Sequence, residues 1–322
     1  MAAVIIPNDS STRKEVIAIF GLGLIGSATL QHICRAQRVS VYTIPSGHTT
    51  FKHEHHTSLF VERFCSVLRG IDRRGRGPVP LKVLWSAGSA GFAASNEQVQ
   101  QEMELFSSAL DACEVLSSKG TVGPVSFALL SSAGGIFEGV RLIDDVTAPC
   151  PRRPYGFFKL AQEEALRAAH GLASKVILRL TTVYGYIRPR QRSSVIGTMV
   201  LNGLRQKETK ITGRMSTLRD YIWIEDLAQV LSEVILRESE VPLRSLIVAS
   251  AKPCSLLEIQ DAVERTIGTK LYVSYDLDPT NAEDITVVSN ASLLRCQSSV
   301  LRVNVRKMYV DLLGSTSYGW TT

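Results

Sequence analysis

Short apolar runs alternate with longer amphipathic segments along most of the chain from Glu15 onward. A short apolar run bounded by turn residues predicts a strand buried on both faces, whereas apolar positions every three or four residues predict a helix packed on one side. The runs that predict strands cover residues 16–20, 39–44, 83–86, 125–130, 176–180, 219–224 and 246–249. Such an alternation predicts an α/β fold with a doubly wound parallel sheet.

The helices predicted between these strands differ in how clearly their ends are marked. Ser255 precedes an amphipathic segment and is a suitable N-cap, so a helix is expected from residue 256. Residues 1–14 are interpreted as a polar, frayed terminus. One predicted helix runs from the turn at residues 21–26 to about residue 36. The others cover residues 97–113, 154–170, 194–204, 225–236 and 256–267, with another near 59–68.

The composition and charge argue against several classes of protein. Of the 322 residues, 45% are hydrophobic and 20% are charged, and the formal net charge is +6. The basic residues are scattered, apart from Arg73, Arg74 and Arg76 and a second set of Arg188, Arg190 and Arg192. The aromatic and basic interleaving of an RNA-binding sheet is missing, so we expect a small anionic substrate and no nucleic acid.

The cysteines and the N-terminal region bear on the compartment. The six cysteines lie far apart and form no CxxC pair, which favours free thiols in a reducing compartment and gives no sign of a metal site. Residues 16–30 form the most hydrophobic stretch, but it is too short and too rich in glycine to span a bilayer. The N-terminus lacks the layout of a signal peptide. We therefore expect a cytoplasmic protein that does not associate with a membrane.

A glycine-rich turn lies between the first predicted strand and the helix that follows. It contains Gly21, Gly23 and Gly26 in the spacing G-x-G-x-x-G. The first glycine permits the tight turn, the second lets a pyrophosphate approach the backbone, and the third allows close packing of helix and strand. The turn, together with Leu24 and Ile25, is thus a predicted dinucleotide site. The alternative is a turn that merely opens an ordinary helix.

The end of the second predicted strand bears on the choice of cofactor. A carboxylate is expected there, about 20 residues after the glycines, to bind the ribose hydroxyls of NAD. The sequence has Thr43 to Ser46 at this place, without a carboxylate and without an arginine for a 2′-phosphate. Thr43, Ser46 or main-chain groups are therefore the expected ribose contacts. NAD is the expected cofactor, and NADP is not excluded.

Tyr155 and Lys159 open another predicted helix. A spacing of four places both side chains on one helix face. A nearby ammonium lowers the pKa of a phenol, so the tyrosine can exchange a proton with a sugar hydroxyl or carbonyl while the nicotinamide exchanges hydride. Ser131 and Ser132 end a strand upstream, where a hydroxyl can hydrogen-bond the reacting oxygen. The alternative role of the two serines is to cap the turn after the strand.

With these motifs in order, the chain resembles the extended short-chain dehydrogenase/reductase family of nucleotide-sugar epimerases, dehydratases and reductases. The similarity extends from about residue 16 to residue 292. The matching segments are residues 21–26, 131–133, 155–159, 179–185, 219–227 and 249–258. No single segment is specific, but their order and spacing together are.

The resemblance implies a Rossmann-type NAD(P)-binding domain over residues 1–182, to which residues 218–250 partly return, and a smaller substrate-binding lobe over residues 183–322. It implies a catalytic triad of Ser132, Tyr155 and Lys159. The cofactor contacts that it implies are Gly21, Gly23, Leu24, Ile25, Gly26, Thr43, Ser46, Ala87, Gly88, Tyr155, Lys159 and Thr182. The implied substrate contacts are Ser132, Ala133, Tyr155, Thr182, Arg190, Arg219 and Asp284, with Arg219 on the substrate diphosphate.

The resemblance also narrows the activity. Family dehydratases carry an Asp-Glu pair directly after the catalytic hydroxyl residue, and this chain has Ala133 and Gly134 there. A 4,6-dehydratase is therefore not expected. A UDP-hexose or UDP-N-acetylhexosamine 4-epimerase is preferred, and an NADPH-dependent 4-ketoreductase is the alternative. A non-catalytic dinucleotide sensor remains the third interpretation, and the expected assembly is a homodimer.

Overall fold

The computed structural model describes residues 2–7, 15–44, 62, 66, 78–91, 94–144, 146–187, 194–237, 242–276, 285–287, 293–296 and 300–316. The strands in these ranges are β1 (Ala2–Pro7), β2 (Val16–Phe20), β3 (Val39–Ile44), β4 (Leu81–Trp85), β5 (Val125–Ser132), β6 (Leu142–Ile143), β7 (Ser174–Leu180), β8 (Thr182–Tyr184), β9 (Thr209–Thr212), β10 (Leu218–Trp223), β11 (Leu243–Ala249), β12 (Pro253–Ser255), β13 (Val273–Asp276), β14 (Thr286–Val287) and β15 (Leu293–Arg295).

Six of the helices in the described ranges correspond to predicted helices, although α2 extends five residues beyond its predicted end, and α3 and α8 were not predicted. Ser95 and Ser255 each cap a helix, since their hydroxyls accept the backbone N–H of Gln98 and Glu258, whose side chains bond back to the cap. The helices are α1 (Leu24–Ala36), α2 (Asn96–Ser118), α3 (Ala133–Ile136), α4 (Pro154–Ala168), α5 (Val195–Leu204), α6 (Ile224–Leu236), α7 (Leu256–Ile267) and α8 (Leu301–Thr316).

The main sheet has eight strands in the order β15-β11-β7-β5-β4-β2-β1-β3. Neighbouring strands from β2 through β15 are parallel. One face packs against α2 and α4, through residues such as Phe106 and Leu166. The other face packs against α1 and α6, through Ile33 and Leu231. The predicted doubly wound α/β fold is therefore confirmed.

The first strand contradicts the expectation that residues 1–14 form a polar, frayed terminus. Residues 2–7 form β1, which lies between β2 and β3 and runs antiparallel to both. Ala3, Val4 and Ile5 are each 0% exposed. The prediction was wrong because only the residues after this apolar run are polar. The run itself, from Ala2 to Ile6, pairs with two strands, and the burial of its side chains stabilises the sheet.

A second layer lies at the carboxyl edge of the sheet. It contains the small sheet β12-β10-β8, in which β8 continues directly from the end of β7. Its core joins α5, α7 and α8 around Tyr184 and Trp223, whose ring centroids are 5.3 Å apart. This layer faces the ends of the parallel strands, which is where ligands bind in open α/β sheets. The predicted domain boundary near residue 182 stays a prediction.

Four further predictions concern the helix near residues 59–68, the C-terminal region, the cysteines and membrane-spanning segments. The predicted helix near residues 59–68 falls almost entirely outside them. Helix α8 was not predicted, since the sequence near the C-terminus shows no clear periodicity. The described cysteines are free thiols, with Cys34 exposed and Cys113 and Cys296 buried. Within the described ranges, every helix is too short or too polar to cross a membrane.

Candidate active site

The glycine turn after β2 has the geometry that its spacing predicts. Gly21 has φ +86°, and a Cβ atom there would lie 2.3 Å from the Cα of Ala87. A Cβ atom on Gly26 would lie 2.0 Å from the carbonyl oxygen of Gly21. Both positions therefore require glycine for packing within the protein, before any ligand is considered.

Gly23 differs from its two neighbours in the turn. It is exposed, and a Cβ atom added to it would meet no protein atom within 4 Å. It is also the N-cap of α1, and no side chain caps the helix there. Open space beside uncapped backbone N–H groups fits the pyrophosphate of a dinucleotide. The residues present therefore fit the predicted cofactor at this end of the site.

Ser86, at the end of β4, fixes this turn to the neighbouring strand. Its Oγ lies 2.7 Å from the carbonyl oxygen of Phe20 and 2.8 Å from that of Gly21, and donates its proton to this pair. Sequence reasoning assigned Ala87 and Gly88 to the cofactor and missed Ser86. A serine that ends a strand gives no sequence signal that its hydroxyl holds a turn on another strand.

Glu102 of α2 brings a carboxylate into the cleft beside the loop that follows β4. Its Oε1 accepts the backbone N–H and the hydroxyl of Ser89, and the N–H of Ala90 at 2.8 Å. A Cβ atom on Gly88 would lie 2.9 Å from the other oxygen of this carboxylate. Glu102 thus holds the loop around Gly88 in place, a role that its position on an amphipathic helix did not indicate.

The predicted catalytic residues lie together at the carboxyl ends of β5 and β7. Lys159 of α4 donates from Nζ to the carbonyl oxygen of Leu130 at 3.2 Å and to Gln162 Oε1 at 3.0 Å. The same Nζ is 6.0 Å from the centroid of the Tyr155 ring. The Ser132 hydroxyl accepts the backbone N–H of Gly135 at 3.1 Å, so this serine caps the short helix α3 and also lines the cleft.

Burial changes the ionisation of Lys159. Burial lowers the pKa of Lys159 to about 8, and the charges of Glu102 and Glu163 oppose part of that decrease. The side chain therefore still carries its charge at neutral pH, close to Tyr155. A buried ammonium close to a tyrosine favours the phenolate form of its side chain.

A buried ionic cluster lies under the catalytic residues. The carboxylate of Glu163, which is 0% exposed, accepts hydrogen bonds from Ser131 at 2.7 Å and from Arg179 at 2.8 and 3.0 Å. Arg167 adds a contact of 2.8 Å. Burial by itself would raise the pKa of Glu163, but Arg179, Ser131 and Arg167 together lower it. The cluster joins α4, which carries Tyr155 and Lys159, to β5 and β7.

Asp220 performs a similar task at the other end of the cleft. It is 2% exposed and accepts the hydroxyl of Thr181 at 2.7 Å and both donors of Ser250 at 2.8 Å. The N–H of Lys252 donates to it at 3.2 Å. These bonds fix β10, which carries Arg219, to the ends of β7 and β11. Asp220 was recognised in the sequence as part of a motif, without this role.

One cleft of about 590 Å³ connects these features. Of the residues predicted for the site, those that line it are Gly23, Leu24, Ile25, Ala87, Gly88, Ser132, Tyr155, Lys159, Thr182 and Arg219. Gly21, Gly26 and Ala133 lie behind this surface, and Ala133 is 0% exposed. Thr43 is exposed on β3 and does not line the cleft. Ser46, Arg190 and Asp284 lie outside the described residues.

The fold and the cleft define a Rossmann-type protein with a tyrosine–lysine pair beside a dinucleotide turn. The NAD dependent epimerase/dehydratase family matches residues 17–246. The chain belongs to this family.

Individual relatives agree with the family. A dTDP-L-rhamnose 4-epimerase of Burkholderia thailandensis is 34% identical over 152 residues, which is 44% of this chain and 40% of the relative. UDP-glucose 4-epimerase of Thermotoga maritima, solved with UDP-glucose, has a TM-score of 0.71 at 17% identity and covers 93% of this chain and 98% of its own. MoeE5, solved with UDP-glucose and NAD, has a TM-score of 0.69 at 20% identity and covers 93% and 99%.

Proposed function

We propose that the protein is an NAD-dependent nucleotide-sugar 4-epimerase. The observation that carries the proposal is the single cleft that runs from the open glycine turn at Gly23, past Tyr155 and Lys159, to Arg219. It offers one end to a dinucleotide pyrophosphate, the other to a substrate diphosphate, and a proton-transfer group between them. The 4-epimerases among the relatives and structural neighbours support this assignment.

Three residues would carry out the proton chemistry. Tyr155 would take the proton of the sugar 4-hydroxyl and later return it, and Lys159 would hold the phenol in its reactive state. Ser132 would donate a hydrogen bond to the same sugar oxygen. Its hydroxyl accepts the N–H of Gly135, which leaves the hydroxyl proton available for this bond. The turn at Gly23 and the Lys159 side chain would hold NAD, which would supply reversible hydride transfer at the sugar carbon.

Arg219 would bind the diphosphate of the substrate. It lies on β10 at the end of the cleft away from the glycine turn, and a planar guanidinium suits two phosphate oxygens at once. The adjacent Asp220 accepts hydrogen bonds from Thr181 and Ser250, which hold β10 at the edge of the cleft. A UDP-hexose or a UDP-N-acetylhexosamine is the proposed substrate class.

The NADPH-dependent 4-ketoreductase remains the second candidate. Thr43 at the end of β3 does not line the cleft, and no carboxylate takes its place. A carboxylate at this place helps an enzyme to retain NAD tightly. An epimerase gains from such retention, whereas a reductase must exchange its cofactor at every turnover. The missing carboxylate therefore favours the reductase.

Incubation with a UDP-sugar distinguishes the two candidates. An epimerase converts the sugar into its 4-epimer without net change in reduced-nicotinamide absorbance, and NAD in catalytic amounts suffices. Stoichiometric loss of NADPH with a 4-keto sugar, and no epimer from the UDP-sugar alone, would assign the protein to the reductases.

The Arg219→Lys variant should bind UDP more weakly than the parent. The homodimer stays a prediction that sedimentation equilibrium would measure.

A further inference from the structure

A buried glutamine, Gln162, lies one turn after Lys159 on the inner face of α4. Its exposed fraction is 1%, and its Oε1 accepts a hydrogen bond from Lys159 Nζ at 3.0 Å. Long side chains on a helix lean toward the N-terminal end, so a residue three positions later reaches back over the preceding turn. Gln162 therefore reaches Lys159, just as Lys159 reaches the turn that carries Tyr155.

Packing alone does not account for an amide at this position. Its neighbours on the inner face of α4 include Phe158 and Leu166, which are buried apolar side chains. A polar group that is buried loses its hydrogen bonds to water, and this costs free energy unless a partner inside the protein replaces them. The oxygen of Gln162 has such a partner in the Lys159 ammonium, which an apolar side chain of the same length could not bind.

The Lys159 ammonium has three protons, and two of them have acceptors inside the protein. One is the carbonyl oxygen of Leu130 at 3.2 Å, and the other is Gln162 Oε1. Leu130 belongs to β5 and Gln162 to α4, so the ammonium is held between the sheet and the helix. Lys159 is 8% exposed and lines the cleft. One N–H is therefore left to donate to a group in the cleft.

The other ionisable groups around Lys159 come from the elements that pack against α4. Strand β5 and helix α3 carry none. The carboxylates of Glu102 and Glu163 raise the pKa of Lys159 through their charge, whereas Leu130 and Gln162 bind its Nζ. The full set is Tyr155 and Glu163 on α4, Glu102 on α2 and Arg179 on β7, with Arg219 and Asp220 further along the cleft.

We propose that Gln162 is a positioning residue for Lys159, which fixes the ammonium against Leu130 and leaves one N–H for a ligand in the cleft. A hydrogen bond to the charged form of a group stabilises that form, so Gln162 also helps Lys159 to keep its proton. This effect opposes burial, which lowers the pKa of Lys159 to about 8. The consequence for catalysis rests on the proposed function, whereas the effect of Gln162 on Lys159 does not.

Titration of the lysine side chains in the free protein tests the effect on Lys159. The probe is the ¹³Cε resonance of lysine, and the resonance of Lys159 is the one that is missing in Lys159→Met. Gln162→Met removes the acceptor at similar length, so it should lower the titration midpoint of Lys159 by about one pH unit. Gln162→Glu supplies a carboxylate and should raise the midpoint. Gln229→Met, at an exposed glutamine of α6, should leave it unchanged.

Turnover of a UDP-sugar at saturating NAD⁺ tests the consequence for catalysis. An ammonium with a midpoint near pH 8 is half charged at pH 8, whereas one with a midpoint of about 7 is about one-tenth charged there. Relative to the parent, Gln162→Met should therefore turn over about 5-fold more slowly at pH 8 and nearly equally at pH 6. Gln162→Glu should keep the turnover of the parent at both pH values, because its carboxylate keeps the ammonium charged.

The outcomes separate this inference from a packing role and from the proposed function. A midpoint that is unchanged in Gln162→Met, or that moves in the same direction in both variants, would overturn the inference. Thermal melts show whether each variant is folded. Gln162→Glu keeps the shape of glutamine, so the direction of its shift decides the question if Gln162→Met does not fold. If the parent has no epimerase activity, the proposed function fails, while the lysine titration still tests Gln162.

Discussion

The two sides of the cleft are built in different ways. On the side of β4, β5 and β7, charged residues hold two elements in place: Glu163 of α4 binds Arg179 and Ser131, and Glu102 binds the loop after β4. On the side of β2, the cleft is lined by Gly23, Leu24 and Ile25, which carry no charge. Under the proposed function, the first side would fix the position of the proton-transfer side chains, whereas the second would provide space for the dinucleotide.

Removal of the Tyr155 hydroxyl is the largest effect expected on the catalytic side. Tyr155→Phe should lower turnover by about 10²–10⁴, the usual contribution of a positioned acid–base group, with dinucleotide affinity unchanged. Initial rates with a UDP-sugar and titration with NAD⁺ measure the two quantities. Tyr42→Phe, at an exposed position on β3, is the control. Normal turnover in Tyr155→Phe would mean that another group moves the proton.

Glu163→Gln should remove about 3 kcal/mol from the free energy of unfolding at pH 7, because Arg179 is left buried without its charge partner. The pKa of Glu163 is lowered from its ordinary value of 4.5 in the folded protein. The contribution of Glu163 to the free energy of unfolding is therefore complete above about pH 4.5, and it is lost as the pH falls through the pKa of the folded state. Urea unfolding at pH 7 and pH 3 measures this. The exposed neighbour Glu164→Gln should change stability little, and equal losses in both variants would contradict the buried ionic role.

On the cofactor side, Gly23→Val should weaken NAD⁺ binding by about 100-fold or more while the protein stays folded. The free protein has space for the side chain, since no atom lies within 4 Å of a Cβ there. Under the proposed function, a pyrophosphate would approach the helix through that same space. Gly26→Ala should instead destabilise the fold, because its Cβ would meet the Gly21 carbonyl oxygen. Calorimetry and thermal melts distinguish these results, and undiminished affinity in Gly23→Val would remove the pyrophosphate assignment.

The smallest expected effect is a gain in stability, whereas the variants above lose activity, stability or affinity. Lys159→Met should raise stability at pH 7 by about 2 kcal/mol, because burial lowers the lysine pKa from 10.5 to about 8 and the charged form is costly to bury. The folded parent loses this proton near pH 8, whereas the unfolded chain keeps it up to about pH 10.5. The stability of the parent therefore rises between about pH 8 and 10.5, and the stability advantage of the variant shrinks. Denaturant unfolding at pH 7 and pH 10 measures it, with the exposed Lys210→Met as control. A destabilised variant at pH 7 would show that the bonds to Leu130 and Gln162 outweigh burial.

Most of the fold could be predicted from local pattern. The helix after Ser255 begins where this N-cap residue indicates, and β2 and α1 lie where they were predicted because strand, turn glycine and helix each follow a local rule. Tyr155 and Lys159 lie on one helix face because their spacing requires it.

The parts that could not be predicted depend on contacts between distant segments. The position of β1 is set by pairing with two other strands, and an apolar run of its length does not reveal which neighbours it takes. Glu102, Glu163 and Asp220 are acidic residues on regular elements, and only the folded chain shows that their partners are Ala90, Arg179 and Ser250. Polar residues whose partners lie elsewhere in the sequence carry no local signal.

The placement of β1 also has a consequence for the order of folding. Strands β1 and β2 are antiparallel and separated only by residues 8–15, so they can pair as a hairpin early, while much of the chain is still being synthesised. A parallel pairing of β2 with β3 would have to wait until α1 has formed and crossed over the sheet, which is a slower, less local event. An early hairpin of β1 and β2 would therefore occupy the place beside β2 before β3 could pair there.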